Sequence, residues 1–241
     1  CILDPELLKR RQSLYKGFED DLPFLQLSEK QIVSDEYEEL FSFIDDEYDV
    51  LVVGSDGVWE FVSYPFPNAY YPNYNFKRTK LFSFAASSDR MHKSLLNTYT
   101  REYIKNTLDR FTYIGIRDQA TENFIKSIYD GYTLNHNCDP TAFVDFNGMP
   151  RNLDRVKRKL AGAGIDITKP IIGVMGNNES CNMVRNMFGN KYQIVSIYQH
   201  TKAADYNFDY LTPFEWARIF SLFNVTVTKF FHGSMLSLKN G

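Results

Sequence analysis

Val225-Thr226-Val227-Thr228-Lys229-Phe230-Phe231-His232-Gly233-Ser234 reads as a strand, a tight turn and the start of a helix. The β-branched run favours an extended chain, and the apolar segment Met235 to Leu238 suits a helix. In an open α/β sheet such a turn sits at the carboxyl end of a strand, where ligands bind. The free N–H groups of the helix start favour anions there. His232 is therefore the centre of a candidate anion-handling site. The alternative is a packed or surface histidine on a bend.

The segment upstream supplies further αβ units. Thr212-Pro213-Phe214-Glu215 combines an N-cap, a first-turn proline and a capping-box glutamate, and predicts a helix to about Phe223. Ile171 to Met175 and Gln193 to Ile197 are expected strands, the first leaving through Gly176-Asn177-Asn178. Leu153, Val156 and Leu160 give a helix that stops at Gly162 and Gly164. Asn147-Gly148-Met149-Pro150 reads as a linker, which divides the chain into an N-terminal domain over 1–147 and a C-terminal domain over 148–241.

In the first half, Asp4 and Pro5 open a polar helix to Tyr15. Ser34 is the expected cap of a second helix, with Tyr37, Leu40, Phe41 and Ile44 on one face. Tyr48 to Val53 follows as a strand whose unbroken apolar run predicts burial on both faces. Its exit, Gly54-Ser55-Asp56-Gly57, is a second candidate site: small residues admit a ligand to the backbone, or Ser55 and Asp56 cap the next turn.

Residues 60–78 carry Phe61, Tyr64, Phe66, Tyr70, Tyr71, Tyr74 and Phe76 among prolines and asparagines. Flat rings cover the C–H faces of sugars while amides bond their hydroxyls. The plainer expectation is that most of these rings fold the loop onto its domain. Gly54, Ser55, Asp56, Trp59, Tyr70 and Tyr71 are the acceptor or cleft candidates. Lys80 to Ser87 is a second buried strand, Met91 to Leu108 a long helical region with His92 exposed, and Phe111 to Ile116 a third strand. Arg117, at its end, is placed to grip a carboxylate or phosphate in a fork, or to pair with Asp118. A helix with Ala120, Phe124 and Ile128 on one face and a short strand Ala142 to Val144 complete this half.

The 241 residues, 44% hydrophobic with net charge −3, suffice for one large or two modest domains. The acidic run 35–49 and the basic run Arg151 to Lys159 read as solvated helix faces. No basic surface or nucleic-acid module is present. Cys1, Cys138 and Cys181 are widely spaced and form neither a disulfide framework nor a zinc pattern. No apolar run approaches the ~20 residues that span a bilayer, and no signal-peptide pattern opens the chain. A cytoplasmic protein is expected. The start at Cys1 and the stop at Gly241 suggest that residues are absent at both ends, leaving the C-terminal domain incomplete.

Five segments together resemble the polysaccharide pyruvyl transferase family. Tyr48 to Trp59 is similar to its D-x-(apolar)-V-G-S-D-Q-V-W signature and Phe82 to Ser87 to its Y-A-A-S strand. Ile114 to Asp118 is similar to S-V-R-D/E, Asp139-Pro140-Thr141 to D-P-T, and Val227 to Ser234 to V-T-N-S-F-H-G. The resemblance implies an α/β fold of two Rossmann-like domains, glycosyltransferase-B-like, with the active site in the interdomain cleft. It implies transfer of pyruvate from phosphoenolpyruvate, the donor substrate, to a saccharide or lipid-linked glycan acceptor; no cofactor is expected, and no ligand cluster in the sequence suggests a metal. Arg117 and His232 alone carry over, as catalytic and donor-binding residues; Lys229, Gly233 and Ser234 beside His232 are further donor-binding candidates. The family glutamine is Gly57 here, and the Asn-Ser before Phe-His is Lys229-Phe230. A nucleotide-sugar glycosyltransferase and a non-catalytic saccharide-binding relative are the competing readings.

Overall fold

The computed structural model describes residues 5–62, 65–146, 148, 153–208 and 211–241. Cys1, the Asp4 cap, Tyr64, Arg151 and Asn147, Met149 and Pro150 of the expected linker lie outside the described residues. In chain order the elements begin with α1 (Pro5–Asp21), α2 (Tyr37–Glu47), β1 (Val50–Val53), β2 (Lys80–Ala86), α3 (Thr98–Leu108) and β3 (Phe111–Ile116). They continue with α4 (Gln119–Ile128), β4 (Leu134–His136), α5 (Leu153–Gly162), β5 (Ile171–Met175), α6 (Asn178–Phe188) and β6 (Gln193–Ser196). The last are β7 (Tyr206–Asn207), α7 (Pro213–Ile219), β8 (Val225–Thr228) and α8 (Phe231–Asn240). Among the described residues no helix is long and apolar enough to cross a membrane.

The fold is α/β with two parallel four-stranded sheets, in the orders β1-β2-β3-β4 and β7-β6-β5-β8. By its contacts the chain divides into residues 29–143 and a second unit made of 1–28 with 144–241. The N-terminal segment thus goes with the second half. Asp21 accepts a hydrogen bond from the Phe214 N–H at 3.0 Å, and Phe24 meets Phe214 edge to face.

In the unit 29–143, Leu81, Ile104, Ile114, Ile116, Phe124 and Ile125 form the core. β1 does not have the two-sided burial that its apolar run predicts. It is an edge strand with Val50 48% and Val52 52% exposed, while Val53 faces the core. An unbroken run of branched residues serves an edge strand as readily as a central one, because β propensity alone does not report burial.

Other boundaries moved for local reasons. Glu36 rather than Ser34 is the N-cap of α2; the Ser34 hydroxyl instead takes the Glu36 N–H and donates to Glu39. The region from Met91 breaks into a short 3-10 turn, Lys93–Leu95, and α3, because Asn97 and Thr100 make a capping box that starts a new helix. The expected strand at Ala142 to Val144 is a 3-10 turn, Pro140–Phe143, held by Asp139. The fourth strand is β4 instead, paired to β3 through Ile114–Leu134 to Ile116–His136. Its Leu-Asn-His sequence carries no strand signal.

In the second unit β5 is buried at every residue between β6 and β8. The predicted capping box of α7 is present: Thr212 takes the Glu215 N–H and Glu215 takes the Thr212 N–H. Glu215 is fully buried and pairs with Arg155 and with Lys159 of α5, which locks α5 to α7. β5→β6 winds to one side and β8 lies on the other. The carboxyl ends of β5 and β8 therefore flank a topological switch point, where open α/β sheets bind ligands.

Candidate functional site

At the carboxyl edge of β1–β4 the strand exits are sewn together by their backbones. The Ser87 N–H donates to the Asp56 carbonyl at 2.8 Å, the Arg117 N–H to the Ala86 carbonyl at 3.0 Å, and the Asn137 N–H to the Ile116 carbonyl at 2.8 Å. Gly54 has φ of 125°, and a Cβ there would run into the Phe84 carbonyl, so only glycine lets β1 turn this close to β2. Asp56 follows with φ of 74°, a conformation that aspartate tolerates better than most residues.

These exits bring Arg117 between two carboxylates. Its Nη1 donates to Asp139 Oδ2 at 2.9 Å and its Nη2 to Asp56 Oδ1 at 3.0 Å. The two partners differ: the Asp139 side chain is 1% exposed and the Asp56 side chain 62%. Asp139 is also fixed from its other oxygen, which takes the Thr141 N–H at 3.0 Å. Arg117 is thus a guanidinium with a buried, rigid support on one side and a solvent-facing partner on the other.

Asp118 does not pair with Arg117 at the surface. It caps α4, taking the Thr121 N–H and hydroxyl, and accepts from the Ser87 hydroxyl at 2.6 Å. Burial works to raise its pKa, but these hydrogen bonds and the Arg117 charge outweigh it and hold the carboxyl below its ordinary value. Asp139 and Ser87 were quoted from the sequence only as motif letters. The aspartate before Pro140 was the available signal for Asp139, since Asp-Pro opens turns by taking a backbone N–H. Ser87 carried no signal of its own.

Two acceptor candidates belong to the core. Trp59 is 1% exposed, with its indole N–H donating to the Tyr70 carbonyl at 3.1 Å and its ring stacked on Tyr71. Tyr71 is equally buried and donates its hydroxyl to the Trp59 carbonyl at 2.6 Å. Burial, with Glu60 second, pushes its pKa far up and keeps the phenol neutral. Neither ring can face a sugar. Aromatic residues at loop spacing were the right raw material for a hydrophobic anchor, and Phe61 and Phe66 close over Tyr71 in the same cluster. Tyr70 remains 49% exposed, and Ser55 is half-buried at the β1 exit.

At the switch point of the second sheet the motif side chains are arranged differently. The helix begins at Phe231, earlier than the predicted turn allows, so His232 lies in the first turn of α8. Phe230 is its N-cap and makes no side-chain cap bond, and the positive end of the helix dipole lies at this start, beside the β5 and β8 exits. Gly233 is buried; a Cβ there would stand 2.5 Å from Thr228 Oγ1 and 2.6 Å from Met175 Sδ. Its role is close packing of α8 on the ends of β8 and β5.

His232 is half-exposed and meets the Phe231 ring edge to face, with centroids 5.3 Å apart. Lys229 is exposed and its Nζ lies 5.6 Å from the Phe230 ring centroid. Phe230, at one of the two positions that depart from the family motif, packs against Tyr198 from the β6 exit at 4.5 Å. The Ser234 hydroxyl donates back to the Phe230 carbonyl, so it serves the helix turn. At the β5 exit, absent from the expected site, Asn177 caps α6 by taking the Ser180 N–H at 3.1 Å. Two helix starts thus stand at adjacent strand ends.

Among the described residues no group of three His, Cys, Asp or Glu could hold a metal ion. Cys181 is buried, which pushes its thiol up. An ionic edge of this kind can orient a carboxylate on a guanidinium, and an open helix start can hold a phosphate. No curated protein sequence is significantly similar to this chain. The family model for polysaccharide pyruvyl transferase does match it, over residues 2–241, and the chain belongs to that family.

Proposed function

We propose that the chain transfers the pyruvyl group of phosphoenolpyruvate to a pair of saccharide hydroxyls, forming a pyruvate ketal on a cell-surface polysaccharide or a lipid-linked glycan. One observation carries the reading: Asp56, Ser87, Arg117 and Asp139, from four separate motif segments, meet at one sheet edge, where Asp56 and Asp139 hold the Arg117 guanidinium and Ser87 bonds the Asp56 backbone and Asp118. The family membership agrees with it. In this reading each unit is one half of a glycosyltransferase-B-like enzyme of the cytoplasm, and the reaction calls for no cofactor.

The donor carboxylate displaces the exposed Asp56 from Arg117, while buried Asp139 keeps the guanidinium in place. The first turn of α8, with Lys229 adding charge, is the anion-binding candidate of the other unit. His232 acts as general acid and protonates the methylene carbon, as suits the side chain that changes charge most readily near neutral pH. C2 then takes the oxygen of one hydroxyl, loses phosphate with the electrons of its C–O bond, and takes the oxygen of the second hydroxyl. The two hydroxyl protons balance the one consumed and the one gained by phosphate or solvent. Tyr70, Ser55 and Gly54 are the remaining acceptor-side candidates.

A second reading is a saccharide-binding relative without transferase activity. The neutralisation of Arg117 by two carboxylates favours it. Calorimetric titration with phosphoenolpyruvate, together with phosphate release in the presence of candidate saccharides, separates the two. Transfer predicts that Arg117→Ala weakens donor binding at least about tenfold. It also predicts that His232→Ala lowers turnover by ~10²–10⁴. A folded protein that binds saccharide but neither binds phosphoenolpyruvate nor releases phosphate would establish the second reading.

A further inference from the structure

The amino end of the first sheet carries a groove of about 410 Å³ lined by Lys77, Arg78, Lys80 and Arg110 with Asn75 and Thr112. It lies at the opposite end of the strands from Arg117. Lys80 begins β2 and Ala86 ends it, a rise of about 20 Å at ~3.3 Å per residue, so the groove is separate from the donor edge. Its cations come from two parts of the chain. The segment 77–80 leads into β2, and Arg110 joins α3 to β3.

Two features set this groove apart from an ordinary solvated face. The Arg110 guanidinium is oriented by neutral groups, with Nε donating to Asn73 Oδ1 at 3.1 Å and Nη1 to Asn75 Oδ1 at 3.4 Å. Amide oxygens fix its direction, and the adjacent Asp109 interacts with its charge electrostatically. The carboxylates nearby are also committed elsewhere. Asp45 accepts the backbone N–H groups of Lys77, Arg78 and Thr79 at 2.8, 2.9 and 2.8 Å, and Asp109 pairs with Lys105 and Tyr132. Asp49 lies 3.5 Å from Arg78. Among the described residues no carboxylate is within ion-pair distance of Lys77, Lys80 or Arg110.

Neutralising helix carboxyl ends does not account for the cluster, because Arg110 bonds side-chain amides and α2 has no basic residue in its last turn. In a chain of net charge −3, four cations gathered from two parts of the chain, with carboxylates beside Arg78 and Arg110 alone, in a groove within the usual size range of ligand sites, roughly 300–1,000 Å³, suit a compact polyanion. We infer that this groove is a binding site for phosphate groups. Arg110 supplies the forked donors, and Lys77 and Lys80 supply point charges. The inference stands whether or not the donor reading is correct. Such phosphates belong either to a soluble diphosphate or to the headgroups of an anionic bilayer.

The full chain is titrated with inorganic pyrophosphate by calorimetry and sedimented with phosphatidylcholine vesicles with and without phosphatidylglycerol. Both series are repeated on Lys77→Ala/Lys80→Ala/Arg110→Ala and on Arg117→Ala. Binding of pyrophosphate, of phosphatidylglycerol vesicles or of both should weaken at least about tenfold in the triple variant. It should persist in Arg117→Ala, and the probe that binds identifies the source. If the triple variant does not fold, Lys80→Glu on this exposed strand start serves in its place. Absence of binding to both probes, binding equal on neutral vesicles, or loss in Arg117→Ala with retention in the groove variant overturns the inference.

Discussion

At the carboxyl edge of β1–β4 the motif side chains bond one another, with Arg117 held between Asp139 and Asp56 and Asp118 held by Ser87 and Thr121. At the carboxyl edge of β5 and β8, backbone and close packing set the position of the motif. α8 starts at Phe231 without a side-chain cap, and Gly233 lets it sit against Thr228 and Met175. The first edge is a preorganised charge, the second a preorganised backbone. A motif letter therefore means different things in the two units. Arg117 is conspicuous because its chemistry is in its side chain, whereas Gly233 matters because it has none.

The largest expected effect tests where the first edge ends and the core begins. Trp59→Ala should destabilise the protein by about 3–5 kcal/mol, because the ring fills the space between Tyr71 and Phe111. Tyr70→Ala should stay within about 0.5 kcal/mol. Urea unfolding of both variants measures the contrast, and equal midpoints would return Trp59 to the surface as a sugar platform.

Next in size, Gly233→Ala should cost about 1–3 kcal/mol by overpacking, since its Cβ would stand 2.5 Å from Thr228 Oγ1. Thermal unfolding would show it. A wild-type midpoint would mean that α8 can shift, and that packing does not place His232.

The most narrowly confined effect, seen only in acid, concerns how the first unit uses carboxylates at its other end. Three backbone N–H groups lead the hydrogen bonds that hold the Asp45 carboxyl near about 2, below its ordinary 3.8. Because the folded group titrates below the unfolded one, its stabilisation is whole above the ordinary value and is lost as pH falls through about 2. Asp45→Asn should flatten the acid limb of the stability profile over that window. An unchanged limb would show that segment 77–79 is pinned by something other than this charge.

Much of the architecture was legible because it rests on short-range chemistry. The capping box at Thr212 and Glu215, the proline at the start of α1 and the branched run of β5 act within a few residues, so local sequence specifies them. Strand-exit position made Arg117 and His232 candidates, and the structure places them at the end of β3 and in the first turn of α8. The limits were equally physical. β4 has no propensity of its own and exists because β3 offers it a ladder, and β1 reads like a central strand although it lies at an edge.

Sequence by itself determined the alternation of strand and helix, the strand exits as candidate sites, and the residue types available at them. Only the tertiary structure decided that Asp139 supports Arg117, that Trp59 and Tyr71 are core, and that β5 joins β8 at the switch point. Those decisions depend on contacts between residues far apart in the chain. Propensity and capping act over a few residues, whereas burial and charge pairing are settled by the neighbours that folding brings alongside.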